Sequence, residues 1–154
     1  MPNVEKLVEK FRQKLQIDQE IEKYKEETVN PLVDRVFNIN FIGVFSNLAD
    51  EINNKIGIKI INIQPEGKSR FVVQGQHHRI YFQKSKVDIS PEGIASTHVI
   101  PIYIWKGVTK HLGPITFFIN VNSQEVKWNI PFESPENYSE ILFSKLVEDE
   151  DFFM

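Results

Sequence analysis

An α+β fold is what this sequence predicts, on three observations. Apolar residues recur at helical spacing from residue 4 to 56. Short β-branched and aromatic runs separated by turn residues fill 58–130. A capped helical pattern returns after Ser134. Helices segregated from a run of strands with short connections imply an antiparallel meander of about five to six strands, with N-terminal helices and a C-terminal helix packed on it.

The first helix begins at Asn3, a good N-cap, and carries Val4, Leu7, Val8, Phe11 and Leu15 on one face. Ile21 and Tyr24 continue the stripe after a phase change near Ile17-Asp18, which predicts a kink or a short break. Glu and Lys alternate over the rest of this surface, as on a solvated helix face. Asn30-Pro31 reads as a cap followed by the first-turn proline of a new helix. Over residues 32–56, Val33, Val36, Phe37, Phe41, Val44, Phe45, Leu48, Ile52 and Ile56 favour one long helix ending at Gly57. Residues 36–45 leave an alternative open, because Phe37-Asn38-Ile39-Asn40-Phe41 also alternates with period two.

Strands are predicted over 58–64, 70–74, 78–83, 97–105, 115–122 and 125–130. They are punctuated by Pro65-Glu66-Gly67, Gly75-Gln76, Ser90-Pro91-Glu92-Gly93, Gly107, Gly113-Pro114 and Asn122-Ser123. Pro101, having no N–H for a ladder, points to an edge strand or a bulge. Ser134-Pro135-Glu136 then opens a helix with Tyr138, Ile141, Leu142 and Leu146 as its apolar residues. The organisation expected is a single domain over 1–147 and an acidic-aromatic tail over 148–154.

Composition supports a globular chain: of 154 residues, 41% are hydrophobic and 25% charged, which excludes the disordered and collagen-like classes. With no cysteine, disulfide frameworks, thiolate zinc sites, iron–sulfur clusters and thiol catalysis are excluded. The start, Met1-Pro2-Asn3-Val4-Glu5-Lys6, leads into no signal-like apolar region, and no stretch is long and apolar enough for a bilayer. The expectation is therefore a cytoplasmic protein with no membrane partner.

Catalytic signatures are lacking. No nucleophile elbow, His-Glu-x-x-His, Walker loop or dinucleotide fingerprint occurs, and the glycine-containing run 107–113 reads as a strand connector. His77 and His78, being adjacent, would point to opposite faces of a strand, and no metal site or cofactor is expected from His77, His78, His98 and His111. Glu125-x-Lys127 resembles half of a restriction-type nuclease site, in which a carboxylate holds Mg²⁺ and a lysine stabilises developing charge. Completing it requires Asp88, the one candidate for the remaining carboxylate.

Charge is segregated along the chain. Residues 67–131 carry eight Lys or Arg against three acids, and residues 132–154 carry seven acids against Lys145, so a net charge of −3 conceals a basic sheet region and an acidic end. Within strands, Ile80 and Phe82 oppose Arg79, Tyr81 and Gln83. Similarly Ile100, Ile102 and Ile104 oppose Val99, Tyr103 and Trp105, while Ile115, Phe117 and Ile119 oppose Thr116 and Phe118. The simplest assembly has one uniformly aliphatic face. Its reverse carries Tyr81, Tyr103, Trp105 and Phe118 among basic residues, either packed under the helices or free to stack single-stranded bases. For that nucleic-acid reading the candidate residues are Arg70, Arg79, Tyr81, Lys84, Tyr103 and Trp105.

The tail Glu148-Asp149-Glu150-Asp151-Phe152-Phe153-Met154 resembles the acidic tips of bacterial and phage single-stranded-DNA-binding proteins. That resemblance implies a segment that docks protein partners and competes for a basic groove; it extends to no other part of the chain. Asp149, Asp151, Phe152 and Phe153 are the candidate partner-binding residues. The expectation overall is a non-catalytic interaction protein with a protein partner. A homodimer through the first helix, single-stranded nucleic-acid binding and a metal-dependent nuclease are the alternatives.

Overall fold

The computed structural model describes residues 3–67, 69–75, 78–105 and 107–148; of Trp105, Lys145, Val147 and Glu148 only the backbone is considered. The chain begins as one uninterrupted helical rod. Helix α1 (Val4–Tyr24) passes through a π-helical stretch (Lys25–Val29) into α2 (Asn30–Val36), then through a second π-helical stretch (Phe37–Ile42) into α3 (Gly43–Ile56). The predicted break near Ile17-Asp18 does not occur and the strand alternative for 36–45 is excluded; an α-helical segment does begin at Asn30-Pro31, but it continues directly from the π-helical stretch before it.

The π-helical stretches explain how the rod survives. Proline removes an N–H and its ring clashes with the carbonyl four residues back, which would break a regular helix at Pro31. Here the Asn30 N–H bonds instead to the Lys25 carbonyl, five residues back, so the ladder is already widened where the proline enters. The Gly43 N–H reaches Asn38 in the same way. The second widening has a packing consequence. Val29, Val33, Phe37, Phe41, Phe45 and Ala49 are all buried at steps of four residues, which outrun the 3.6-residue period. Wider turns let these six side chains stay on one face. Gly57 in the left-handed conformation (φ 88°) ends the rod, as its position predicts.

Eight antiparallel strands occur among the described residues, against the five to six expected: β1 (Asn62–Pro65), β2 (Arg70–Gln74), β3 (Arg79–Lys84), β4 (Asp88–Ile89), β5 (Ile94–Trp105), β6 (Val108–His111), β7 (Ile115–Asn120) and β8 (Val126–Asn129). The additional two are the short β4 and β6. The sheet runs β1-β2-β3-β5-β7-β8, and the long β5 is its spine, with β3 and β4 along one edge and β7 and β6 along the other. Pro101 therefore lies in a central strand. It is tolerated because it falls in the gap between the β7 pairing, which ends at Val99, and the β6 pairing, which begins at Ile102.

Helix α4 (Pro135–Glu148) starts where predicted, with the Asn137 N–H donating to Ser134 Oγ at 3.1 Å. It packs beside α3 and buries Tyr138, Leu142 and Phe143. The core lies between the α2–α3 half of the rod, α4 and one face of the sheet. Its centre is aromatic: Phe41 contacts Phe37, Phe45, Phe71, Phe82 and Trp128 at ring separations of 5.2 to 5.9 Å. Asn53 ties the rod to the sheet entrance, accepting from the N–H groups of Ile60 and Ile61 and donating to the Ile61 carbonyl.

Candidate interaction surfaces

Register decides which side chains each face of the sheet presents. Tyr103 is paired with Ile80, and Ile102 with Tyr81, so the covered face carries Ile80, Phe82, Val99, Tyr103 and Phe117. The open face carries Arg70, Arg79, Tyr81, Ile100, Ile102, Ile104 and Phe118. The alternation within each strand is as predicted, but the grouping across strands is not. Neither face is uniformly aliphatic, and the expected set Tyr81, Tyr103, Trp105 and Phe118 is split. The β5 isoleucines face outward beside Tyr81.

Of the six nucleic-acid candidates, Arg70, Arg79 and Tyr81 share the open face. The Arg70 guanidinium stacks over the Tyr81 ring at 4.0 Å and lies 3.4 Å from Glu66, so Arg70 and Tyr81 are engaged within the chain. Lys84 lies on the covered face, only 9% exposed, paired with Asp34 of α2 at 3.4 Å. Tyr103 is fully buried and hydrogen-bonded to His78 Nδ1 at 2.6 Å. Trp105 contributes a backbone position only, and Asp149, Asp151, Phe152 and Phe153 lie outside the described residues.

The nuclease constellation is not assembled. Asp88 and Lys127 occupy one register row, through Ser96 and Phe118, but stand three strands apart, about 14 Å at the usual interstrand spacing. His98 is hydrogen-bonded to Thr116 across the open face at 2.8 Å. Among the described residues no three His, Asp or Glu side chains cluster closely enough to hold a metal ion. A polar groove of about 490 Å³ beside the Lys84–Asp34 pair mixes both signs of charge. An apolar recess of about 260 Å³ is lined by Leu112, Pro131, Phe132, Tyr138, Ile141 and Leu142. Burial raises the Tyr138 phenol pKa above its usual range.

The most unusual surface is α1. Every residue from Asn3 to Tyr24 is exposed, including Val4, Leu7, Val8, Phe11, Leu15, Ile17, Ile21 and Tyr24 at 41 to 69%. Its ion pairs, Arg12–Glu9 and Lys14–Asp18, are internal to the helix. An isolated helix of 21 residues is marginal in water, and most helices derive their stability from burying an apolar face. The apolar stripe was legible in the sequence; that none of the described residues covers it was not, because exposure is set by tertiary packing. No helix among the described residues is long and apolar enough to cross a membrane. Compared with family models, curated proteins and solved structures, the chain matches none.

Proposed function

We propose that this protein is a non-catalytic interaction module whose principal contact element is helix α1, with the acidic-aromatic residues Asp149, Asp151, Phe152 and Phe153 as a second contact. One observation carries the reading: a 21-residue helix with eight large apolar side chains in solvent and no buried residue. Exposed apolar surface of that extent marks a binding site on a protein whose remaining core is well packed. Lysine-directed cross-linking in cells producing the protein tests it. The expected products join Lys6, Lys10, Lys14 or Lys23 to another polypeptide, a second copy included. Cross-links confined within single chains would refute it.

The open sheet face supports a second reading, single-stranded nucleic-acid binding by Arg70, Arg79 and Tyr81, with Phe118, 39% exposed, on the same face but four to eight residues further along β5. That reading requires oligonucleotide affinity falling with salt at a slope of about −0.7 per phosphate neutralised. It also requires tighter binding once residues 148–154 are removed. Absence of binding at low salt without the tail would sink it.

A further inference from the structure

The structure assigns α1 a specific occupant: we infer that it pairs with α1 of a second copy of this chain, antiparallel, about a two-fold axis beside Gln16. The inference rests on the reading of α1 as the contact element and goes beyond it by naming partner, direction and register.

With Val4 at a, positions a and d hold Val4, Leu7, Phe11, Lys14, Asp18 and Ile21. The neighbouring e and g positions hold Val8, Leu15, Ile17 and Tyr24, together with Lys10 and Glu22. All eight exposed apolar residues thus fall at a, d, e or g. The nine b, c and f positions between Glu5 and Lys23 hold only Glu, Lys, Arg and Gln. The phase change at Ile17-Asp18 is no break in this frame. It is the move from apolar e residues on one side of the seam to apolar g residues on the other, within a continuous helix.

Polar residues inside the seam select the direction. In a parallel, in-register pair, Lys14 would face Lys14 and Asp18 would face Asp18, two like-charge layers at the centre of the interface. In an antiparallel pair a faces d, so each Lys14 meets Asp18 of the second copy. The same register sets Phe11 against Ile21, and flanks the central layers with Leu15 against Leu15 and Ile17 against Ile17. Charge along the helix agrees. Residues 3–15 carry four bases against two acids, +2, and residues 16–24 carry one base against three acids, −2. Antiparallel pairing lays each half on its opposite.

The size also fits. Eight side chains of this kind at roughly half exposure present on the order of 800 Å², about what one partner contributes to a standard interface. Because no residue of α1 is buried against its own sheet, pairing requires no rearrangement of the core.

Analytical ultracentrifugation of the full chain is the first test, and a reversible dimer is the expected result. Phe11→Asp should weaken association by about 100-fold while near-ultraviolet circular dichroism stays unchanged. Lys14→Asp should weaken it by about tenfold, and adding Asp18→Lys should restore it by exchanging the partners. The chain has no cysteine, so single spin labels at Glu5→Cys and Gln16→Cys report direction cleanly. The antiparallel pair keeps the two labels at residue 16 level along the axis, on its outer surface, and displaces those at residue 5 by about 33 Å along the axis. A distance at residue 5 that shows no axial displacement means a parallel pair and overturns the inference, as does a charge swap that fails to restore association. A chain that stays monomeric while α1 cross-links to a different protein, or takes up α1 onto lipid vesicles, overturns self-pairing; the first of these results leaves the contact role of α1 intact.

Discussion

Two halves of one helical rod behave oppositely. From Asn3 to Tyr24 every side chain is exposed, and from Val29 to Ala49 the residues at steps of four are buried to 5% or less. Both halves carry large apolar side chains, and the difference lies in spacing. The inner half sets its apolar residues four apart with β-branched and phenylalanine side chains, and packs them into the aromatic face of a sheet. The outer half arranges its own as heptads, a pattern suited to another helix. Hydrophobicity alone therefore did not decide which half joined the core.

Phe41→Ala and Phe11→Ala should differ most between the two halves of the rod. Phe41 touches five aromatic rings and is fully buried, so its truncation should cost about 3–5 kcal/mol. Phe11, at 69% exposure, should cost the monomer less than about 0.5 kcal/mol. Denaturant unfolding followed by tryptophan fluorescence at low protein concentration measures both, and equal effects would mean that α1 packs on the body.

Asn53→Ala addresses how the inner half is fastened to the sheet. It leaves the N–H groups of Ile60 and Ile61 without their acceptor and should cost about 2 kcal/mol in the same assay. Asp34→Ala should cost about 1–2 kcal/mol. It strips the counter-charge from a Lys84 side chain that is only 9% exposed, while Asp34 itself, 41% exposed, is partly screened by solvent.

The smallest effect is confined to alkaline pH. Burial raises the Tyr138 pKa above the value near 10 of the unfolded chain. Its contribution is therefore fully present below about pH 10 and is lost as pH rises beyond that, at up to about 1.4 kcal/mol per pH unit. Tyr138→Phe should flatten that part of the decline between pH 9 and 11. An unchanged slope would place the alkaline sensitivity in other groups.

Much of the architecture was legible locally. The Asn3 and Ser134 caps, the Gly57 stop and the alternation within each strand are short-range matters of backbone propensity and side-chain period, and the structure follows them. The short strands β4 and β6 were missed, since two to four residues carry too little pattern to distinguish from a loop. The candidate surface was half legible. The stripe from Val4 to Tyr24 is written in the sequence, but its exposure is not.

By itself, then, the sequence determined the segregation of helices from strands, the ends of the main elements and the opposition of a basic sheet region to an acidic end. Tertiary structure alone decided two further things. One is continuity through Pro31, where a widened helical turn accommodates a residue that local rules read as a start. The other is cross-strand register, which sent Tyr103 inward to His78 and left Tyr81 outside with Ile102. The physical reason is that side-chain alternation has period two within each strand, whereas the phase between neighbouring strands is set by turn length and by what the covering helices bury. A shift of one residue exchanges the faces.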